Sequence, residues 1–287
     1  MTITVALLAA GGGRRFGAPK LLLPAGPGEV LLTRAARAAL SLDADVLCIL
    51  PPDAALHRAA LRPLAQGRLR LVENPAAGDG MGTSLAAAAQ IWGVAASGRD
   101  GLLALPADLP TIDAALLERL VGLYLADEDC LAAAVRDASG RLMAPAVLGA
   151  GLLPELASLG QDEGARSVLR RGGARTAALD LAEGLEDVDD FAAYSRTAVR
   201  LGWQREHPPA VAWRETSLPG PPAVPPGAWR VGGSVAWPVP GEAALCGYHS
   251  HDLPDGVRRV LWTGTGPGAQ LRLLRAAALL SLQDETR

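Results

Sequence analysis

The residues with the most chemistry in this chain lie near its start, in Leu8-Ala-Ala-Gly-Gly-Gly-Arg-Arg-Phe-Gly-Ala-Pro-Lys20. An aliphatic segment, Ile3 to Leu8, runs into Gly11, Gly12, Gly13 and Gly17, which permit positive φ and let backbone N–H groups approach a ligand. Arg14, Arg15 and Lys20 add positive charge beside those donors, a combination suited to a polyphosphate. For the glycines alone, a Gly-rich turn with solvated arginines is an equal alternative, and the basic residues favour anion binding. Asp108, between Pro106 and Pro110 and just past an apolar run, is a carboxylate of the kind Mg²⁺ takes when it bridges nucleotide phosphates. An aspartate in isolation is more simply a turn or cap residue. His249-Ser-His251 beside Cys246 fits a shared solvent face of a strand better than a metal site.

The elements that must position these groups follow from periodicity. Short apolar runs at Ile3–Leu8, Asp45–Leu50, Leu69–Glu73, Gly101–Leu105, Cys130–Arg136, Arg141–Val147 and Arg175–Leu179 predict strands. Segments with a helical stripe predict helices over 29–42, 53–64 (capped by Asp53), 83–96, 113–126 (capped by Asp113), 150–159, 163–171 and 190–201. In the 29–42 helix Arg34, Arg37 and Ser41 fall outside the apolar stripe. Strands alternating with helices imply an α/β fold, a doubly wound, mostly parallel, Rossmann-like sheet. Ligands of such sheets bind beyond the carboxyl ends of the strands. The glycine loop follows the first strand, the polar stretch from Asn74 to Ser84 the third, and Asp108 the fourth, so all three face one edge. That convergence turns the reading of Asp108 towards metal.

Residues 1–203 are expected to form this domain, 204–228 a Pro-rich linker, and 229–287 a small C-terminal α+β appendage of unassigned role. The appendage is expected to pack on the main domain or to dock a partner. The net charge of −3 gives no general basic field for nucleic acid or an anionic membrane. Cys48, Cys130 and Cys246 are far apart and in no ligand spacing, against both a disulfide framework and a zinc site. With no signal-like N-terminus and no long apolar run, a cytoplasmic protein is expected.

Leu8 to Lys20 resembles the nucleotidyltransferase signature Leu-Ala-Ala-Gly-x-Ser-x-Arg-Met-Gly-x-x-Lys. The chain to about residue 200 is similar to the molybdenum cofactor cytidylyltransferase branch of the MobA-like nucleotidyltransferase family. Gly80-Met-Gly-Thr-Ser-Leu85 stands for its Gly-Met-Ser-Ser-Ser-Leu, Ala107-Asp-Leu-Pro110 for its Ala-Asp-Gln-Pro, and Asp162-Glu-Gly-Ala-Arg166 for its Asp-x-Gly-Ala-Arg. The resemblance implies nucleotide binding by Leu8, Ala9, Ala10, Gly11, Gly12, Gly13, Arg15, Lys20, Asn74, Gly80, Ser84 and Asp108. It implies catalysis by Lys20, Arg15 and Asp108, with Arg14 on a variable position. It further implies Mg²⁺ on Asp108, with Asp187 as a second ligand, and a pterin subsite at Asp162 and Arg166. Read from the residues alone, Asp162 and Arg166 are equally a plain i,i+4 pair. There are departures: Gly13, Gly82 and Thr83 replace serines, Leu109 replaces Gln, and Gln161 stands where Gly usually precedes Asp162. The run Asp187-Val-Asp-Asp-Phe191 is shorter than the family's Asp-x-Asp-Thr-Pro-Glu-Asp, which favours helix capping over metal binding there.

The expected reaction is Mg²⁺-dependent transfer of CMP from CTP to the phosphate of molybdopterin, with release of pyrophosphate and a possible molybdoenzyme partner. Guanylyl transfer to the same cofactor and cytidylyl transfer to a sugar or polyol phosphate are the alternatives. Ala10, where the guanylyl branch has Gly, weakly favours the pyrimidine. A non-catalytic cofactor carrier is the reading from another class, and Lys20 with Asp108 argues against it because storage needs neither.

Overall fold

The computed structural model describes residues 1–11, 16, 18–65, 67–160, 163–172, 175–181, 185–203, 213–216, 224, 228–231, 234–238, 244–253 and 256–285. The chain divides into two compact units, one of Met1–Gly12, Leu32–Ala54 and Leu61–Asp187, the other of Gly13–Leu31, Ala55–Ala60 and Val188–Arg287.

The first unit holds a seven-stranded sheet of β1 (Ile3–Leu8), β2 (Asp45–Leu50), β3 (Leu69–Glu73), β4 (Gly101–Pro106), β5 (Ala132–Arg136), β6 (Leu142–Gly149) and β7 (Thr176–Asp180), in the order β3-β2-β1-β4-β6-β5-β7. All neighbours are parallel except β6, which runs antiparallel to β4 and β5. This is the Rossmann-like, mostly parallel sheet expected from the alternation. β5 and β6 are the expected pair joined by the turn at Asp137, whose carboxylate accepts from the Ser139 and Arg141 amides at 2.9 Å each. The insertion of β6 between β4 and β5 is a pairing between residues some 45 apart in sequence, which no local pattern encodes. β4 is buried from Gly101 to Leu105 and β1 from Val5 to Leu7, as their apolar runs require of strands covered on both faces.

The helices of this unit are α1 (Leu31–Ser41, from Leu32 on), α3 (Met81–Gly93), α4 (Ala114–Ala126), α5 (Leu153–Ala157) and α6 (Ala165–Gly172), whereas α2 (Ala55–Leu61) belongs to the second unit in all but its last residue. Asp113 caps α4 by accepting from the Leu116 amide at 2.9 Å. Asp53 does not cap α2: its φ is 56°, whereas an N-cap needs extended backbone, and it belongs to the turn before the helix. The Ala-rich helix begins two residues earlier than expected, at Met81, because Gly80 ahead of it takes φ 132° and ψ 164°, a conformation open to glycine. Leu85, Ala88, Ala89 and Trp92 of α3 pack on Ala6, Ile49, Leu102, Ala104 and Ala146 of the sheet, and on Leu152 and Leu156.

The second unit contains the turn Lys20–Leu22, α7 (Phe191–Leu201), a five-stranded antiparallel sheet and α8 (Gly266–Glu285). Its strands are β8 (Trp213–Thr216), β9 (Trp229–Val231), β10 (Ser234–Pro238), β11 (Ala244–Leu253) and β12 (Gly256–Thr265), in the order β8-β12-β11-β10-β9. β8 lies inside the stretch expected to be linker and pairs with β12 from Trp213 to Thr216. Asp190 caps α7 through the Ala193 amide at 2.7 Å, and Gly202 ends it in the left-handed conformation. Phe16, Phe191, Tyr194 and Trp203 form an aromatic cluster with ring centroids 5.9–6.2 Å apart.

Three positions in the first unit give measurable consequences. A Cβ on Gly82 would overlap the carbonyl oxygens of Gly160 and Glu163, so only glycine lets this backbone lie on the first turn of α3. Gly82→Ala should cost about 1–3 kcal/mol of stability by overpacking. Gly122→Ala, in α4 with open space around an added Cβ, should gain about 0.5–1 kcal/mol; urea unfolding measures both. Asp100, before β4, accepts from the Thr2 amide at 2.6 Å, the Thr2 hydroxyl at 3.0 Å and the Ser97 amide at 3.1 Å. The Thr2 backbone bond is the largest influence holding its carboxyl below the usual range. Asp100→Asn should cost about 1.5–3 kcal/mol at pH 7. A carboxyl with a lowered folded pKa stabilises above its unfolded pKa and loses that contribution as pH falls through the folded value. The deficit of Asp100→Asn in urea should therefore shrink as the pH is taken below about 4.

Candidate functional site

Three hydrogen bonds extend the parallel ladders past the strand ends and fix the loops of the carboxyl edge. Ala9 N donates to Ile49 O at 2.9 Å, Ala107 N to Leu8 O at 3.1 Å, and Asn74 N to Leu50 O at 2.8 Å. Leu8, Ala9, Ala10 and Gly11 thus leave β1 at the same edge where Asn74 leaves β3 and Asp108 leaves β4. Ala9 and Ala10 are buried, and a Cβ on Gly11 would meet nothing within 4 Å, so the main chain here is open to a ligand. Gly12, Gly13, Arg14 and Arg15, the rest of the expected phosphate loop, lie outside the described residues.

Asn74 organises the second loop. It is buried, and its Nδ2 donates to Thr83 Oγ1 at 3.0 Å and to Ser84 Oγ at 3.1 Å, while its Oδ1 accepts from the Ala76 amide at 3.0 Å. Thr83 Oγ1 also reaches the carbonyls of Gly80 at 2.8 Å and Ala76 at 2.9 Å. Asn74 therefore ties both ends of the loop to the first turn of α3. Ser84 is itself buried, with its hydroxyl engaged by Asn74, whereas Gly80 is half-buried and Met81 exposed at the loop's outer side.

Asp108 sits half-buried in a turn held on both sides. Ala107 and Leu109 are buried in the core, the Ala107 amide is tied to β1 as above, and Arg34 Nε donates to Pro110 O at 2.7 Å. Leu109, an apolar departure from the family motif, is thus an anchor for the turn. Arg34 falls outside the apolar stripe of α1, and its length lets the guanidinium reach back to this turn. Among the described residues no group of three or more His, Cys, Asp or Glu could cage a metal. Asp187 is exposed, and Asp190, not Asp187, performs the helix capping expected of that acidic run.

Lys20 belongs to the second unit. It is buried, and its Nζ is 3.6 Å from Oδ1 of Asp189, so the acidic run supplies an ion-pair partner for the signature lysine as well as a cap. Arg166 is exposed on the first turn of α6; Asp162, its expected partner, lies outside the described residues. Glu163 makes the ion pair observed in this loop, with Arg171 at 2.9 Å, and also accepts from the Gly160 amide at 3.2 Å.

No helix among the described residues is long and apolar enough to cross a membrane. No curated protein matches the chain. Among solved structures, an Rv0371c homologue from Mycobacterium sp. strain JC1 is 25% identical with a TM-score of 0.55, over 69% of this chain and 98% of its own. Rv0371c of Mycobacterium tuberculosis H37Rv, in complex with manganese, is 25% identical with a TM-score of 0.54, over 68% and 97%. A CMP:2-keto-3-deoxy-manno-octonic acid synthetase complexed with CTP is 13% identical with a TM-score of 0.55, over 71% and 100%, and shares the fold. The model of the MobA-like NTP transferase domain matches residues 5–177, the span that holds the seven-stranded sheet except the first two residues of β1 and the last three of β7. The chain belongs to the MobA-like NTP transferase family and is a nucleotidyltransferase.

Proposed function

We propose that the protein transfers a cytidylyl group from CTP to a phosphomonoester, with the phosphate of molybdopterin as the acceptor favoured by its motifs. The observation that carries the reading is the convergence of Ala9–Gly11, Asn74–Ser84 and Asp108 on one sheet edge through the three ladder-extending bonds. An acceptor phosphate oxygen attacks the α-phosphorus of CTP; a new P–O bond forms as the bond to the bridging oxygen breaks, and pyrophosphate leaves. The acceptor is already anionic at neutral pH, so no general base is needed, and positioning with charge neutralisation suffices. In this reading the main chain from Gly11 to Gly13, with Arg15, binds the triphosphate, and Lys20 offsets charge at the α-phosphate and on the leaving group. Asn74, Gly80 and Ser84 shape the base and ribose side, and Asp162 with Arg166 the acceptor side.

A divalent cation fits the donor set. Asp108 offers one hard, half-buried carboxylate, and a cation such as Mg²⁺ takes one or two carboxylates and completes its shell with water and substrate phosphates. Asp108 would hold it, with Asp187 as the second acid, and when bound it would neutralise charge on the phosphates. The manganese complex of the Mycobacterium tuberculosis relative supports a divalent ion. Transfer to a sugar or polyol phosphate is the second reading, because the fold is shared with the CTP-complexed sugar-acid synthetase.

Lys20→Ala and Asp108→Ala should each lower pyrophosphate release by about 100-fold or more with the cooperative unfolding transition retained. Unchanged turnover in either would remove that residue from the mechanism. In a melting panel of CTP, GTP, ATP and UTP with Mg²⁺, CTP at 100 times its Kd should stabilise by about 2.7 kcal/mol; a shift with GTP alone would overturn the cytidylyl assignment. Product formation with molybdopterin, compared with sugar and polyol phosphates, separates the two acceptors.

A further inference from the structure

The family match ends at residue 177, and the second sheet with α8 lies beyond it. The hydrogen bonds of the second unit tie that appendage to the segment bearing Lys20. The turn at Lys20 is closed by Leu22 N to Pro19 O at 2.9 Å and Leu23 N to Lys20 O at 3.1 Å. It leads directly into a loop whose stem is the Pro24–Val30 bridge and the bond from Leu31 N to Leu23 O at 3.0 Å. Two further bonds close the loop, Ala25 N to Glu29 O and Glu29 N to Gly26 O, both 3.0 Å. The two carbonyls that close it each accept a second bond from one side chain of α8: Arg275 Nη1 donates to Glu29 O at 3.0 Å and Nη2 to Gly26 O at 3.3 Å. A planar guanidinium presents such a pair of donors in a fixed fork.

The clamp has a fixed base. Ser234 Oγ of β10 donates to Ala277 O at 3.0 Å, and Ser281 Oγ donates to Val231 O at 2.6 Å, so the appendage sheet sets the register of α8 in the two turns that follow Arg275. Ala276, Ala277, Ala278 and Leu279, just after Arg275, are buried, and α8 also packs on the Lys20–Leu22 turn and on α7. From the other side, Tyr194 of α7 donates to Pro24 O at 2.9 Å.

We propose that the C-terminal sheet and α8 brace the Lys20 segment, with Arg275 as the positioning residue that acts on Lys20 through the carbonyls of Gly26 and Glu29. A module serving only to dock a partner would not need its helix to hold this loop. The proposal rests on the reading of Lys20 as the catalytic cation.

The test compares the full chain with Arg275→Met, which keeps the apolar stem, and Arg275→Lys, which keeps the charge and one donor. Amide exchange without ligand and steady-state turnover with CTP and Mg²⁺ are measured on each. In Arg275→Met the amides of Leu22, Leu23, Ala25 and Glu29 should exchange at least about tenfold faster. Its kcat should fall about tenfold or more while the KM for CTP stays within about twofold, and Arg275→Lys should recover part of both. Faster exchange with unchanged kcat, or lower kcat with unchanged exchange over 20–31, would each overturn the brace. If Lys20→Ala proves fully active, the catalytic reading of Lys20 falls instead, and the exchange comparison still reports whether the clamp exists.

Discussion

The structure of the sheet unit depends on one constraint: β1 is hydrogen-bonded on both sides by parallel strands, to β2 from Thr4 to Leu8 and to β4 from Ile3 to Leu8. Parallel pairing puts all carboxyl ends at one edge, and the ladders do not stop at the strands. The amides of Ala9, Asn74 and Ala107 each donate to a carbonyl at the end of a neighbouring strand. The loops of this unit at which nucleotide binding is proposed are therefore pinned by main chain before any side chain acts. The side chains then add local order: Asn74 binds the Thr83 and Ser84 hydroxyls, and Arg34 holds Pro110.

The segment of Lys20 is built on different physics. Its order comes from aromatic packing of Phe16 on Phe191 and Tyr194, from a tyrosine hydroxyl on Pro24 O, and from a guanidinium on two loop carbonyls. The Lys20 ammonium itself lies 3.6 Å from an Asp189 carboxylate oxygen.

Much of the sheet unit was legible in the sequence because central strands such as β4 are buried almost throughout and so read as apolar runs, and because Asp113 is a conventional cap, as Asp190 is in the second unit. The shared edge of the glycine loop, Asn74 and Asp108 followed from alternation alone. The rest required long-range information. The place of β6 is set by pairing with β4, far off in sequence. Asp53 has the right residue type for a cap but the wrong backbone. Arg34 falls outside the apolar stripe of its helix, and only tertiary structure shows the carbonyls that it and Arg275 reach. Gly82 reads as a lost serine, but it is the residue that admits the carbonyls of Gly160 and Glu163.

The central claim, a nucleotide site built on the carboxyl edge around Asp108, is tested most directly by a crystal structure with CTP and Mn²⁺, using anomalous scattering to find the ion. The account predicts the ion on the Asp108 carboxylate, with the triphosphate along the main chain of Ala9 to Gly13 and the base beside the loop from Asn74 to Ser84. A nucleotide bound elsewhere, or an ion with no Asp108 oxygen in its shell, would contradict it.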